Sequence, residues 1–268
     1  MTDLSLTQII VLALIQGLTE FLPVSSSAHL ILGSKAFGWP DQGMIFDVAT
    51  HLGTLLAVFI YFRKDLLELL SVWLRPAVTD SSRRHRAMGI YLALASIPAL
   101  LIGFLAHDAV EFYLRDVRII AWMTIGFGLL LWVVDARCSR LRSLDQITLP
   151  AALLIGVAQA LALIPGVSRS GVTITAGRFL GFSADAAARF SFLLAIPIIG
   201  AAGSYGALRV LSGDTNIDWS QFALAMIFSA IAGWICIAAF LALLKRVGLI
   251  PFVIYRLLLG LVLLWIIH

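Results

Sequence analysis

The stretch FLPVSSSAHL, residues 21–30, decides the fold because it places a proline, three serines and a histidine inside an apolar segment. Proline ends or bends a helix, and Ser25 or Ser26 can cap the helix that follows by accepting from its free backbone N–H groups. The segment 4–37 is therefore divided into two arms that are too short or too polar for two crossings of a bilayer core about 30 Å thick. We predict a re-entrant hairpin here, a helix-turn-helix unit that returns to the side from which it entered.

The rest of the chain has the composition of an integral membrane protein. Of its 268 residues, 61% are hydrophobic and only 13% are charged, and the mean hydropathy is +1.00, whereas soluble proteins are about one-quarter charged. We predict an all-α polytopic protein with a single integral membrane domain, residues 1–268, and no soluble domain. Six segments are long and apolar enough to be full spans: 44–62, 88–106, 118–135, 186–207, 220–244 and 248–267.

The net charge of +4 reflects membrane topology rather than nucleic-acid binding, because the basic residues are concentrated in three connections between spans. Loops rich in Lys and Arg face the cytoplasm. Both termini are therefore predicted on the outer, periplasmic side. The basic residues concerned are Arg63, Lys64, Arg75, Arg83, Arg84, Arg86, Arg137, Arg140, Arg142, Lys245 and Arg246.

A second polar interruption divides residues 149–182, and it repeats the first. Val24-Ser-Ser-Ser-Ala28 follows Gln16 by eight residues, and Val167-Ser-Arg-Ser-Gly171 follows Gln159 by eight, with an offset of 143 between the two copies. We predict a second re-entrant hairpin and a duplicated chain, with repeat one at about 1–117 and repeat two at about 118–268. One copy begins outside and the other inside, so the repeats are inverted, an arrangement in which broken helices form a site near the bilayer midplane.

If both hairpin tips reach the middle of the membrane, two helix amino termini point into one cavity and favour an anion there. Arg169 adds a positive fork that matches phosphate oxygens. The alternative for Arg169 is a side chain that snorkels or pairs with a neighbour, but ionisable groups at membrane depth are usually functional. Arg178 lies further along the same helix, near the cytoplasmic interface, where we expect it to snorkel.

Two pairs at helical spacing suggest chemistry at the first break. Gln16 and Glu20, at i,i+4, could hold a hard divalent cation or position a water, or else bond to backbone at the turn. Ser26 and His29, at i,i+3, could place a hydroxyl nucleophile beside a base. A histidine bonded to a neighbouring serine is the competing interpretation for His29, and capping or packing is the competing interpretation for the serines.

Other polar residues fall on the full spans. Asp47, Thr50 and His51 form a stripe that either lines the outer mouth or pairs internally. We expect Arg256, in the last span, to be a structural partner for an acidic group such as Asp185 or for a backbone carbonyl.

QGLTEFLPVSSSAH, residues 16–29, and PGVSRSGVT, residues 165–173, closely resemble the two signature motifs of the undecaprenyl-diphosphate phosphatase family, the bacitracin-resistance type of bacterial membrane enzyme. The resemblance extends along essentially the whole chain. It implies removal of the terminal phosphate from undecaprenyl diphosphate, which yields the carrier lipid for peptidoglycan and so affects cell shape and antibiotic resistance. It also implies two inverted repeats, a plasma-membrane location, a site open to the outer face, and a divalent cation, Mg²⁺ or Ca²⁺.

Carried over by position, the resemblance assigns Glu20, Ser26, His29 and Arg169 to catalysis and Glu20 with Gln16 to the metal, although many family members have glutamate where this chain has Gln16. Either Ser26 attacks the outer phosphorus or a water held by Glu20 does so, and His29 acts as base, acid or orienting group. We expect the substrate to be bound by Ser25, Ser27, Ser168, Ser170, Gly171 and Thr173.

The sequence leaves rival functions open. Inverted repeats with broken helices are also typical of transporters, so a lipid or anion transporter, or a flippase, is the main alternative. A structural or regulatory membrane protein is the third. The sequence also leaves open whether the protein is a monomer or a homodimer.

Overall fold

The computed structural model describes residues 4–40, 42–74, 79–113, 116–212 and 217–267, and within these ranges it contains helices and no strand beyond an isolated bridge between Arg142 and Phe182. The predicted all-α class is confirmed. The helices are α1 (Leu6–Glu20), α2 (Ser26–Phe37), α3 (Gly43–Tyr61), α4 (Arg63–Leu74), α5 (Asp80–Tyr113), α6 (Val117–Arg137), α7 (Leu149–Ala160), α8 (Arg169–Phe179), α9 (Ala184–Ser212), α10 (Trp219–Val247) and α11 (Ile250–Ile267).

The predicted polytopic membrane architecture is confirmed. Five helices of the described chain, α3, α5, α6, α9 and α10, are long and apolar enough to cross a membrane. The sixth predicted span, 248–267, is α11, whose 18 residues cover about 27 Å at the standard helical rise. Of the residues used to predict topology, Arg75 lies outside the described ranges.

The first interrupted segment folds as two helices with a break at residues 21–25. A capping box formed by Ser5 and Gln8 starts α1, and α2 begins at Ser26 after the turn that contains Pro23. Ser25 adopts a φ of 72°, in the left-handed region that non-glycine residues rarely occupy. The chain therefore reverses over a few residues, as expected for a hairpin tip.

The second interrupted segment repeats this local structure. Thr148 caps α7, a 3₁₀ turn follows at Leu161–Leu163, and Ser168 caps α8 by accepting from the Gly171 N–H. Ser168 has a φ of 70°, close to that of Ser25, which lies 143 residues earlier. Each break also has a serine hydroxyl pair 3.2 Å apart, Ser25 with Ser27 and Ser168 with Ser170. The two breaks thus share a backbone conformation as well as a sequence pattern.

The connection at 63–86, predicted as a long basic loop, is largely helical. Helix α4 occupies Arg63–Leu74, and α5 already begins at Asp80. Leu69 and Val72 of α4 are buried, but four charged residues at positions 63–68 make its mean hydropathy too low to mark a span. A search for long apolar runs does not detect a short helix whose first half is charged.

Small residues allow α10 to pack closely against helices of the first half. A Cβ added to Gly17 of α1 would lie 2.5 Å from Ser229 O and 2.6 Å from Ala232 Cβ. Gly53 of α3 likewise faces the Met226 carbonyl at a distance that leaves no room for a side chain. Such close backbone contacts are typical of helix association in membranes, and they fix α1, with Gln16 and Glu20, relative to the second half of the chain.

The expectation that Arg178 snorkels is wrong. Its side chain is fully buried, and its Nε donates to Asp135 Oδ1 at 2.7 Å. Its Nη1 donates to the carbonyls of Phe182 and Ser139. A buried charge is tolerated when it is paired and hydrogen-bonded, and this pair joins the end of α8 to the end of α6.

Candidate active site

The two sequence motifs meet at the carboxylate of Glu20. Arg169 Nη2 donates to Glu20 Oε1 at 3.1 Å, while Ser26 Oγ and Gln16 Nε2 donate to Oε2 at 3.1 and 3.0 Å. The Arg169 and Glu20 side chains are only 10% and 9% exposed. Glu20 and Arg169, 149 positions apart in the chain, therefore belong to one largely buried cluster of charged and hydroxyl side chains.

Direct contacts hold the two hairpin tips together around this cluster. Ser170 Oγ donates to the carbonyl of Leu22 at 2.8 Å, which ties the start of α8 to the first break. Arg169 Nη1 donates to Ser191 O at 3.3 Å, so its guanidinium is fixed from α9 as well as from Glu20. Because both terminal nitrogens of the Arg169 guanidinium are hydrogen-bonded within the protein, its position does not depend on a ligand.

Arg256 braces both breaks through backbone carbonyls. Its fully buried guanidinium donates from Nη1 to Pro23 O at 3.3 Å and to Val167 O at 3.0 Å. Further bonds reach Gly166 O at 2.9 Å and Thr124 O at 3.0 Å. The structure thus supports the carbonyl alternative for Arg256, whereas Asp185 instead pairs with Arg189 at 3.1 Å.

The Glu20 cluster lies at the foot of a cavity of about 800 Å³. Polar side chains cover one part of its lining: Glu20, Ser25, Ser26, Ser27, His51, Gln159, Ser168 and Arg169. Apolar residues from α5, the second break and α9 form the walls, among them Ala99, Leu100, Phe104, Leu163, Ile164, Ile198 and Ile199. Pro98 in α5 and Pro197 in α9 immediately precede cavity-lining residues, and proline favours a bend at such points. The cavity can therefore take a ligand with a charged head and an apolar body.

Some predicted site residues lie behind the cavity wall rather than on it. Thr173 is buried, donates to the Arg169 carbonyl and meets Ser191 Oγ at 2.7 Å. Ser170 is buried at the junction with Leu22, and Gly171 faces Arg256 Nη1, which a Cβ there would approach to 2.7 Å. These three residues hold Arg169 and Ser168 in place without lining the cavity.

His29 bonds to groups other than the Ser26 hydroxyl. Its Nδ1 lies 2.7 Å from Ser25 O, and its Nε2 lies 2.7 Å from Tyr255 Oη. Since a carbonyl only accepts, Nδ1 carries the proton and Nε2 accepts from the tyrosine hydroxyl in the neutral ring. The His29 and Tyr255 rings are parallel, with centroids 5.5 Å apart. Both ring nitrogens are therefore occupied, and the hydroxyl of Ser26 is bonded to Glu20 instead.

The structure adds two residues that were not assigned to the site. His51 lines the cavity, and its Nε2 accepts from Gln16 Nε2 at 3.4 Å while Nδ1 donates to Asp47 O at 2.7 Å. Its place in the polar stripe of α3 was the available signal. Gln159 also lines the cavity. In the sequence its one distinctive feature is its alignment with Gln16 in the other repeat, which does not by itself indicate a site residue.

Glu20 and Gln16 form an oxygen set that suits a hard cation shared with a ligand. Gln16 Oε1 is buried and has no hydrogen-bond partner among the described residues. That part of the chain also contains no group of three or more His, Cys, Asp or Glu side chains placed for a metal. A magnesium ion is often bound by one or two protein oxygens together with substrate phosphates, and these residues fit that arrangement.

Known bacterial proteins match this chain over nearly its whole length. The family model described as bacitracin resistance protein BacA matches residues 9–262. Undecaprenyl-diphosphatase 1 of Pseudoalteromonas translucida (strain TAC 125) is 51% identical over 257 residues, covering 96% of this chain and 97% of that protein. Undecaprenyl-diphosphatase of Saccharophagus degradans is 52% identical, covering 93% of each chain. The protein of the same name from Teredinibacter turnerae is 49% identical over 97% of this chain and 98% of its own.

Proposed function

The chain belongs to the bacitracin resistance protein BacA family, and we infer from this premise that it is a membrane phosphatase acting on undecaprenyl diphosphate. Water is consumed, and the products are undecaprenyl phosphate and inorganic phosphate. The reaction returns the carrier lipid to cell-wall synthesis and accounts for bacitracin resistance. The observation that carries the proposal is the Glu20, Ser26 and Arg169 cluster at the foot of a cavity with apolar walls.

The diphosphate head is proposed to bind at the polar end of the cavity. Arg169 offers a fixed guanidinium, and Ser25, Ser27 and Ser168 offer hydroxyls on the same lining. A planar guanidinium grips phosphate oxygens through two parallel hydrogen bonds. The negative charge of the diphosphate is then balanced by Arg169 and by the amino termini of α2 and α8.

The prenyl chain is proposed to lie along α5 and α9. Phe104 and Leu105 of the cavity wall are 76% and 74% exposed, so the wall reaches the apolar outer surface of the bundle. A long hydrocarbon tail can leave the cavity there and remain in the lipid, since it has no need to cross a polar boundary.

The chemical step we propose begins with Ser26. Its hydroxyl donates to Glu20 Oε2 at 3.1 Å, so Glu20 can accept the proton as the oxygen attacks the terminal phosphorus. The anhydride P–O bond breaks, undecaprenyl phosphate leaves, and water then hydrolyses the phosphoserine. Because both ring nitrogens of His29 are bonded elsewhere, we assign His29 to orienting the first break rather than to proton transfer.

A divalent cation, Mg²⁺ or Ca²⁺, is proposed to be bound by Glu20 and Gln16 together with substrate oxygens. When bound, such an ion offsets negative charge on the phosphoryl oxygens. In its absence the chain's own residues would still bind and orient the diphosphate.

We further propose the bacterial plasma membrane as the location, with the termini and cavity toward the periplasm. The support is the concentration of Lys and Arg in the connections at 63–86, 137–142 and 245–246, which the positive-inside rule assigns to the cytoplasm. The chain is a multi-pass membrane protein in any orientation.

Phosphate release tests the function. Purified protein in detergent, supplied with a polyprenyl diphosphate and Mg²⁺, should release inorganic phosphate, and chelation should stop the release. A transporter would need residues that bind the substrate but no nucleophile. The names of the relatives do not favour transport. Absence of release with both cations supplied would contradict the phosphatase proposal.

A further inference from the structure

Gln159 carries a buried amide that has no hydrogen-bond partner among the residues that the structure describes. It lies in the last turn of α7, is only 2% exposed, and is one of the residues that line the cavity. Within the described part of the chain, neither Nε2 nor Oε1 has a hydrogen-bond partner. Buried side-chain amides are nearly always hydrogen-bonded, so this exception needs an explanation.

The position of Gln159 is fixed by close packing. Gly156, one turn earlier on the same face of α7, touches the Ala95 backbone of α5 so closely that a Cβ could not be added. The backbone that bears Gln159 therefore has little freedom to move. The terminal torsion of a glutamine is soft, so the amide can still turn toward a ligand in the cavity.

Gln16, the equivalent of Gln159 in the first repeat, has a carboxylate partner that Gln159 lacks among the described residues. Gln16, 143 residues earlier, donates from Nε2 to Glu20 four residues further on. The position four residues after Gln159 is Leu163, which has no acceptor. The second half of the chain thus retains the amide without its carboxylate, and a ligand in the cavity can take the place of that carboxylate.

We propose that Gln159 is a substrate-contacting residue. Its Nε2 donates to an oxygen of the terminal phosphoryl group, and its Oε1 accepts from a water bound to the same group. This inference rests on the proposed phosphatase function. An unpaired buried amide carries its desolvation penalty in the ligand-free protein, so a hydrogen bond to the diphosphate removes that penalty on binding.

Replacement by an apolar residue of similar size separates this role from a structural one. Gln159→Leu should have a thermal midpoint equal to or higher than that of the wild type, because an unsatisfied amide is removed. Its kcat/KM for a polyprenyl diphosphate should fall about 10-fold to 100-fold, the usual effect of losing a hydrogen bond to a charged group. Inorganic diphosphate, used as a probe, should raise its midpoint less than that of the wild type.

The matched control is Gln221→Leu. Gln221 Oε1 is also buried without a partner among the described residues, but it lies near the start of α10 and is not among the residues that line the cavity. Its loss should leave kcat/KM and the effect of inorganic diphosphate unchanged.

Two results would overturn the inference on Gln159 alone: unchanged hydrolysis by Gln159→Leu, or loss of thermal stability in both Gln159→Leu and Gln159→Met, which would indicate a structural role. A wild-type protein that releases no phosphate would instead overturn the proposed function, and the inference with it.

Discussion

At the scale of single residues, Ser26 and Glu20 form the contact on which the proposed chemical step depends. The hydroxyl donates to a carboxylate that also receives Arg169 and Gln16. Glu20 can therefore take the serine proton while Arg169 stabilises the charge that develops on the phosphoryl group. A serine near a carboxylate but outside hydrogen-bond distance could not be activated in this way.

Ser26→Ala tests the covalent route. We expect a folded protein whose kcat falls by at least about 10³-fold, because the nucleophile is lost, and wild-type enzyme quenched during turnover should carry phosphate on Ser26. Ser71→Ala, on α4 with its hydroxyl bonded to Glu68 O, should be fully active. A loss of only about tenfold without a phosphoserine would indicate direct attack by water.

Helical spacing predicted neighbours at this scale, but not the partners that each side chain would choose. The spacing of Ser26 and His29 does place them on one face of α2, yet His29 bonds to Tyr255, 226 positions away. Arg178 pairs with Asp135, 43 positions away. Partners this distant depend on how helices pack, which periodicity alone does not determine.

At the scale of elements, the two hairpin breaks depend on Arg256. Its guanidinium donates to carbonyls of both tips and of α6. Arg256→Lys keeps the positive charge, but one ammonium cannot reach carbonyls in several directions. We expect it to lower the free energy of unfolding by at least about 3 kcal/mol, since several buried carbonyls lose their donors.

Chemical unfolding in detergent micelles would measure this change. The exposed Arg246 provides the matched control, and Arg246→Lys should change the free energy of unfolding by less than about 0.5 kcal/mol. Equal stability of the two variants would show that Arg256 does not support the breaks.

Close packing of α1 on α10 gives a second prediction for elements. Gly17→Ala should lower the free energy of unfolding by about 1–3 kcal/mol, because the new methyl overlaps Ser229 O. Gly126→Ala in α6 is the control, since no atom lies within 4 Å of an added Cβ. It should be neutral or stabilising by up to about 1 kcal/mol. A thermal midpoint lower for Gly126→Ala than for Gly17→Ala would contradict the close contact between α1 and α10.

Elements marked by strong local signals were predictable from the sequence. Pro23 and Pro165, each followed by serines, located both breaks to within a few residues. Helix α4 was not predicted, because charged residues lower its hydropathy. The left-handed conformation of Ser25 and Ser168 was also beyond prediction, since serine has no intrinsic preference for that region.

At the scale of the whole molecule, orientation can be tested with a native residue. Cys138 lies in the connection after α6 that we assign to the cytoplasm, and both it and buried Cys236 are free thiols. In a Cys236→Ser background, a membrane-impermeant maleimide should label Cys138 in inverted vesicles and not in intact spheroplasts. An added Ser220→Cys, at the exposed start of α10, should show the opposite pattern. Labelling of Cys138 in intact spheroplasts would show that the protein has the opposite orientation to the one proposed.

The site itself belongs to this scale, because neither half of the chain contains all of it. Glu20 and Ser26 come from the first half and Arg169 from the second, and packing of α1 on α10, with the hydrogen bond from Ser170 to the Leu22 carbonyl, brings them together. The sequence predicted this meeting through the inverted repeat. It could not predict that His51 would contact Gln16, or that the Gln159 amide would lack a partner among the described residues, because both follow from tertiary contacts.

The meeting of the two hairpin tips is tested most directly by a double-mutant cycle on Glu20 and Arg169, measured as the free energy of unfolding. Glu20→Gln and Arg169→Met should each be destabilising, since each leaves a buried partner uncompensated. The double variant should lose less than the sum, with a coupling of about 1–3 kcal/mol. Glu20 with Arg178, which pairs elsewhere, serves as the control cycle. Additive losses for Glu20 and Arg169, within about 0.5 kcal/mol, would contradict the contact and the site built on it.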